Sequence, residues 1–247
     1  MHSYTRYSSI IAAAIALTAC GRAETDQPVE TTTAAGTTVS PSGTAAAKNG
    51  TSLVRFVNAL PSPKGLDVKV NERVLFENVA TKTVTPYAEV ATNAPRFTLR
   101  NAGKDSTMAE NKEVVVDGRR YTAVALPKPD GTSELRLWRD DLVPDAGKAR
   151  IRVIHAAPGI DDVRIGVAGS DQPLFTGVSY ASEAGFKDVE PNDLMLVIRR
   201  NVAGADPIKL KAMRLVPGHA YTIVLVTMKG KLDVITFEDQ GQGTASR

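Results

Sequence analysis

The 247-residue chain has a single cysteine, Cys20, so an intramolecular disulfide is excluded. It has one tryptophan and aromatics make up 5% of the residues, so large aromatic surfaces cannot carry the core. Only three histidines are present, and His2 lies in the extreme N-terminal segment. No G-x-S-x-G, H-E-x-x-H, P-loop, paired C-x-x-C or dinucleotide fingerprint occurs, which removes the common hydrolase, zincin and nucleotide-binding signatures. The formal net charge is +3, with acidic and basic residues interleaved, which is too mild for nucleic-acid recognition. The one early apolar run, about Ile10 to Leu17, is far shorter than the ~20 residues a membrane-crossing helix requires.

That run instead has the build of a secretory signal, with Arg6 before it and small residues after it. Leu17-Thr18-Ala19-Cys20 resembles the lipobox of bacterial lipoproteins, [LVI]-[AST]-[GA]-C. The resemblance implies that Leu17, Thr18 and Ala19 are recognised by the signal peptidase. Cleavage would then precede Cys20, which accepts a diacylglyceryl group before the new N-terminus is acylated, by palmitate for example. A plain secretory peptide is the alternative. Two or more acyl chains make a durable membrane anchor at ~0.8 kcal/mol per buried methylene. Gly21 is not the aspartate that holds lipoproteins in the inner membrane, so in a Gram-negative cell the resemblance implies the outer membrane. Residues 1–19 therefore read as signal peptide. Residues 20–50, rich in Thr, Ala, Gly and Pro, read as a lipidated cysteine and a disordered tether that cannot bury enough apolar surface to order itself.

The rest of the chain repeats. "LVRFVNALPSPKGLDVKV" from Leu53 aligns with "RIRVIHAAPGIDDVRIGV" from Arg150, placing Arg55 over Arg152, Pro61 over Pro158 and Asp67 over Asp162. Later, "VVVDGRRYTAVAL" aligns with "MRLVPGHAYTIVL", placing Tyr121 over Tyr221. Short segments rich in Val, Ile, Leu, Thr and Tyr recur between Gly, Pro, Asp and Asn turns. They predict an all-β fold of two tandem antiparallel immunoglobulin-like β-sandwiches, residues 51–142 and 149–240. Strands are expected at Leu53–Asn58, Asp67–Val70, Arg96–Arg100, Glu113–Val116, Tyr121–Leu126 and Glu134–Trp138. In the second copy they are expected at Ile151–His155, Val163–Val167, Leu194–Arg200, Ile208–Leu215, Tyr221–Met228 and Leu232–Phe237. Tyr121 and Tyr221 each follow a glycine turn, where a corner-fixing tyrosine would sit. Trp138 shares a face with Arg136, away from Leu135 and Leu137, and reads as filler between the copies or as a sugar-stacking platform.

His155 is the one histidine with catalytic promise, since Asp161 and Asp162 follow a Pro158-Gly159 turn. Its counterpart in the first repeat is Asn58. Histidine and asparagine share little catalysis, but either can hydrogen-bond a turn backbone, so His155, Asn58 and Pro158 read as structural turn residues. An enzyme or metal-dependent module centred on His155 and Asp161 is the alternative. Two adjacent carboxylates lack the oxygen-rich loop of a calcium site, so no metal or cofactor is expected. His219 falls where the first copy has Arg119 or Arg120 and reads as an exposed turn residue. Lys209 and Lys211 alternate with Leu210 and Ala212 and, with Arg214, read as a solvated face or a contact for anionic lipid or envelope polymer.

The segments "ARIRVIHAAPGIDDVRIGV", "LFTGVSYASEAGFKDVEP" and "MRLVPGHAYTIVLV" resemble the bacterial extracellular family named domain of unknown function 4397. Its copies open on R-V-x-H-A-[SA]-P-[DG] followed by V-D-V. Arg152, Val153, His155, Ala156, Ala157, Pro158 and Gly159 match that opening, and Asp161 replaces the first valine of V-D-V. The first copy diverges, with Asn58 for histidine and Leu60 for the small residue. The resemblance implies a β-sandwich of secreted and anchored proteins with no agreed activity and no catalytic residues. The expectation is thus a non-enzymatic, lipid-anchored envelope module that binds or spaces something. Its partners would be the membrane through the acyl anchor and an unidentified envelope protein or polymer, with no nucleic acid.

Overall fold

The computed structural model describes residues 49–239 apart from 63, 203 and 205. The lipobox residues Leu17, Thr18, Ala19 and Cys20, the signal peptide and nearly all of the tether lie outside the described residues. No helix forms among the described residues. In the first copy the strands are β1 (Thr51–Asn58), β2 (Leu66–Val70), β3 (Arg73–Val79), β4 (Ala88–Ala91), β5 (Phe97–Asn101), β6 (Thr107–Asn111), β7 (Arg120–Pro127) and β8 (Ser133–Arg139). The second copy has β9 (Ala149–Ala156), β10 (Val163–Val167), β11 (Pro173–Val178), β12 (Lys187–Val189), β13 (Asp193–Leu194), β14 (Leu196–Arg200), β15 (Ile208–Lys209), β16 (Met213–Arg214), β17 (Ala220–Met228) and β18 (Lys231–Asp239).

The first copy stacks sheet β4-β1-β7-β8 on sheet β3-β2-β5-β6, and the second stacks β12-β9-β17-β18 on β11-β10-β14-β15. A small pair, β13-β16, completes the second copy. The same strand order thus recurs, as the repeated sequence requires. All pairings are antiparallel except β1 with β7 and β9 with β17. Those two ladders are parallel because the opening strand of each copy lies alongside a strand far downstream, reached by crossing over the intervening sheet.

Alternation along the strands explains where the cores lie. In β1, Val54 and Phe56 enter the first core with Leu66, Phe97, Leu99 and Leu135. In β9, Ile151 and Val153 enter the second core with Ile165, Leu196, Ile198 and Leu225. The opposite faces are not left to solvent. Val57, Val124 and Leu126 from the first copy meet Ile154, Ala156, Val224 and Val226 from the second in a third apolar cluster. The β1 and β9 sheets are therefore buried on both faces, which is why their strands read as nearly unbroken apolar runs. Trp138 packs against this joint cluster, half-buried.

Three expected strands differ, the first being Leu194–Arg200, which breaks at Met195 into β13, paired with β16, and β14, paired with β10. Glu113–Val116 is a loop, because the Asn111 side chain accepts a hydrogen bond from the Glu113 N–H at 2.7 Å and turns the chain out of β6. Val115 alone of that loop plugs back into the core, 2% exposed. Ile208–Leu215 breaks into β15 and β16, because β15 pairs with β14 while β16 pairs with β13 in another sheet. Leu210 is half-buried against the second core, but Ala212 is exposed instead of facing inward.

Candidate functional site

The turn after β9 has the following geometry. His155 is fully buried, and its Nδ1 accepts a hydrogen bond from the Ala157 N–H at 3.2 Å. The ring meets Tyr180 edge-on with centroids 6.3 Å apart. Burial pushes the imidazole pKa below its ordinary value, so the neutral form is favoured, with the proton on Nε2. Nε2 has no partner at full hydrogen-bond geometry among the described residues, though the nearby Asp161 backbone and the Asp162 charge partly offset the effect of burial. Gly159 sits at φ 73°, a left-handed turn position that a side chain would strain. Pro158 is half-buried beside it, and Asp161 and Asp162 are exposed. No group of three or more His, Cys, Asp or Glu side chains is placed to hold a metal among the described residues.

Asn58 occupies the same place in the first copy. Its Oδ1 accepts from the Leu60 N–H at 3.0 Å, two residues on, and its Nδ2 donates to the Val79 carbonyl at 2.8 Å. Imidazole and carboxamide thus make the same backbone contact. The tyrosines are equally alike: Tyr121 Oη accepts from the Val116 N–H at 2.9 Å and Tyr221 Oη from the Val216 N–H at 3.0 Å. His219 is half-buried, and its Nδ1 lies 2.5 Å from Glu238 Oε1. Asp67 binds the N–H groups of Asn78 at 2.8 Å and Gly103 at 3.1 Å, an anchoring role within its own copy.

The densest concentration of buried charge lies elsewhere, in the joint. Arg55 of β1 and Arg152 of β9 are almost completely buried, as are Asp140 after β8 and Asp239 at the end of β18. The pairing is reciprocal: Arg55 of the first copy bonds Asp239 of the second, and Arg152 of the second bonds Asp140 of the first. Thr122 and Thr222 complete the set. Arg55 Nε donates to Thr122 Oγ1 at 2.9 Å and Arg152 Nε to Thr222 Oγ1 at 3.0 Å. The threonine hydroxyls in turn donate to Asp140 at 2.8 Å and to Asp239 at 2.7 Å. Arg55 lies over the rings of Tyr87 and Phe237, and Arg152 over Phe186.

One hydroxyl breaks the symmetry. Tyr87 donates to Asp140 at 2.6 Å, whereas the matching residue in the second copy, Phe186, has no hydroxyl to offer Asp239. Burial would raise the Asp140 pKa, but Arg152 and Arg55, with the Tyr87 and Thr122 hydroxyls, hold it below the ordinary carboxylate value. For Asp239 burial prevails over Arg55 and Arg152, and the pKa is raised. Each buried arginine thus faces a buried aspartate, and Arg152 also meets Glu183 at 3.4 Å, so the charges are paired as burial requires. Sequence reading aligned Arg55 with Arg152 without assigning them this contact. The signal was an arginine between apolar neighbours at the same place in both repeats.

This architecture defines a duplicated β-sandwich module whose copies are locked face to face. Residues 52–166 match the model of the family described as Domain of unknown function (DUF4397). The match runs from β1 of the first copy, despite Asn58 and Leu60, through the R-V-x-H-A-A-P opening of the second to Gly166. No curated protein matches the chain. Among solved structures, the chain is similar to the C-terminal domain of AlgF from P. aeruginosa at 18% identity, covering 38% of this chain and 99% of that one with a TM-score of 0.32. It is also similar to the C-terminally truncated tip fimbrial protein Mfa3 from Porphyromonas gingivalis at 10% identity, covering 78% of this chain and 100% of that one with a TM-score of 0.26. Scores this low carry no assignment of activity.

Proposed function

We propose that this protein is a non-enzymatic module of the bacterial cell envelope, held by acyl chains on Cys20 and presenting two packed β-sandwiches that bind or space an envelope partner. The observation that supports the non-enzymatic reading most is the equivalence of His155 and Asn58. A histidine kept for acid–base or metal chemistry would not share its backbone contact with an asparagine in the sister copy. His155, Asn58 and Pro158 act as turn residues in this reading. The short basic-flanked apolar run, the Leu17-Thr18-Ala19-Cys20 quartet and the single cysteine support the anchor. In a Gram-negative host Gly21 directs the protein to the outer membrane.

Fractionation tests the anchor. Cys20→Ala is expected to move the protein from the membrane to the soluble fraction, and unchanged membrane association would contradict the reading. His155→Asn is expected to leave any envelope phenotype intact. Loss of such a phenotype with an unchanged melting curve would favour an enzyme or metal-dependent site at His155 and Asp161.

A further inference from the structure

The two copies differ at one seam of the sandwich. In the first, β6 runs five residues along the open edge, and Asn111 ties it to β8 by donating from Nδ2 to the Leu135 carbonyl at 3.0 Å. Val115, in the loop after β6, is buried in the first core. In the second, the matching strand β15 has only two residues. Register equates Asn111, opposite Phe97, with Leu210, whose N–H bonds the matching Leu196 carbonyl. It likewise equates Leu135, opposite Ala125, with Val234, opposite Leu225. Leucine cannot donate the closing hydrogen bond, so the tie is not made. The seam opens into a groove of about 470 Å³ between β15 and β18.

The groove has a definite chemistry. Its floor is apolar, with Ile208, Leu210, Met213 and Val234 among its residues. Lys209 and Lys211 line it and meet no carboxylate among the described residues. Its one carboxylate, Asp233, is bonded to Lys82 of the first copy at 2.7 Å. One wall is β18, nine residues long, paired with β17 and with no strand on its other side among the described residues. An edge strand presents a row of outward N–H and C=O groups.

We infer that this open seam docks an extended peptide segment of an envelope partner, carrying acidic residues and apolar residues in alternation, which adds along the β18 edge. The edge supplies main-chain hydrogen bonds, the apolar floor takes alternate side chains, and Lys209 and Lys211 select for acid. The first copy shows the geometry that closes such a seam: a strand and one side-chain amide. This inference deepens the proposed binding role, yet its test is independent of the Cys20 anchor.

The experiment titrates the full chain, purified in detergent, with a fluorescein-labelled alternating Val–Glu peptide of about ten residues, enough for one strand. Saturable binding is expected, with no binding of the matching Val–Lys peptide. K209E/K211E, which changes exposed residues only, is expected to weaken binding about tenfold or more with an unchanged melting temperature. L210N, which restores the tie of the first copy, is expected to weaken binding about as much. Absence of binding to the native chain, or binding to either variant as tight as to the native chain, would overturn the inference. Phosphatidylglycerol vesicles that displace the peptide and show the same sensitivity to K209E/K211E would assign the groove to lipid and overturn it too.

Discussion

A single buried side chain shows how a catalytic residue type can serve structure. His155 spends its Nδ1 on a turn N–H and lies where Asn58 makes the same contact. His155→Asn should therefore change stability little, whereas His155→Ala should lose about 1–3 kcal/mol by leaving the Ala157 N–H unsatisfied. Thermal melts of the two variants side by side check this. The pH dependence follows from the lowered pKa. The unfolded chain binds the proton near the ordinary 6.5 and the folded chain only further down. Stability from neutral His155 is thus full above about 6.5 and is lost as pH falls below it towards the folded value. Urea melts between pH 7.5 and pH 5.5 should show that loss in the native chain and a smaller one in His155→Asn. The equivalence of His155 and Asn58 was legible from the aligned repeats. The histidine's complete burial was not, because alternation gives the face of a residue and not what covers it.

Strands carry the second level of the account. The β1 and β9 segments "LVRFVN" and "RIRVIHA" each carry an arginine, Arg55 and Arg152, between apolar neighbours. The arginines in fact point into a joint between copies, where each finds the other copy's aspartate. Sequence could announce the repeat and most strands, but a pairing across the joint depends on how two sheets stack, which local pattern does not encode. Removing one member of a buried pair leaves its partner charged and unsolvated. Arg152→Met is expected to lose about 3–5 kcal/mol, and Arg152→Met with Asp140→Leu to lose less than that single change, measured by chemical denaturation. Tyr87→Phe would make the first copy resemble the second at Phe186, removing a hydrogen bond to a buried carboxylate at about 1.5–3 kcal/mol. The missed break in Ile208–Leu215 has a similar cause: which neighbour a short apolar segment pairs with is settled by the sheet it reaches.

At the scale of the molecule, the third apolar cluster and the charged quartet join the copies into one body. Calorimetry should show a single unfolding transition for the native chain, with Trp138 fluorescence at the joint changing at the same temperature. Arg152→Met should separate the joint signal from the main transition, and two well-resolved transitions in the native chain would contradict a fused pair. The all-β class, the duplication and the family resemblance were visible before any coordinates, because repeated turns and strand patterns are local. The open seam of the second copy was not, since it depends on Leu210 facing Val234 across two sheets.

The proposed anchor rests on Cys20, and the mass of the mature protein tests it most directly. Intact mass spectrometry of the chain extracted from membranes is predicted to give a polypeptide beginning at Cys20 with a diacylglyceryl group on its sulfur and a further acyl chain on its amine. A secreted chain with a free Cys20 thiol, or one cleaved beyond Cys20, would contradict the account.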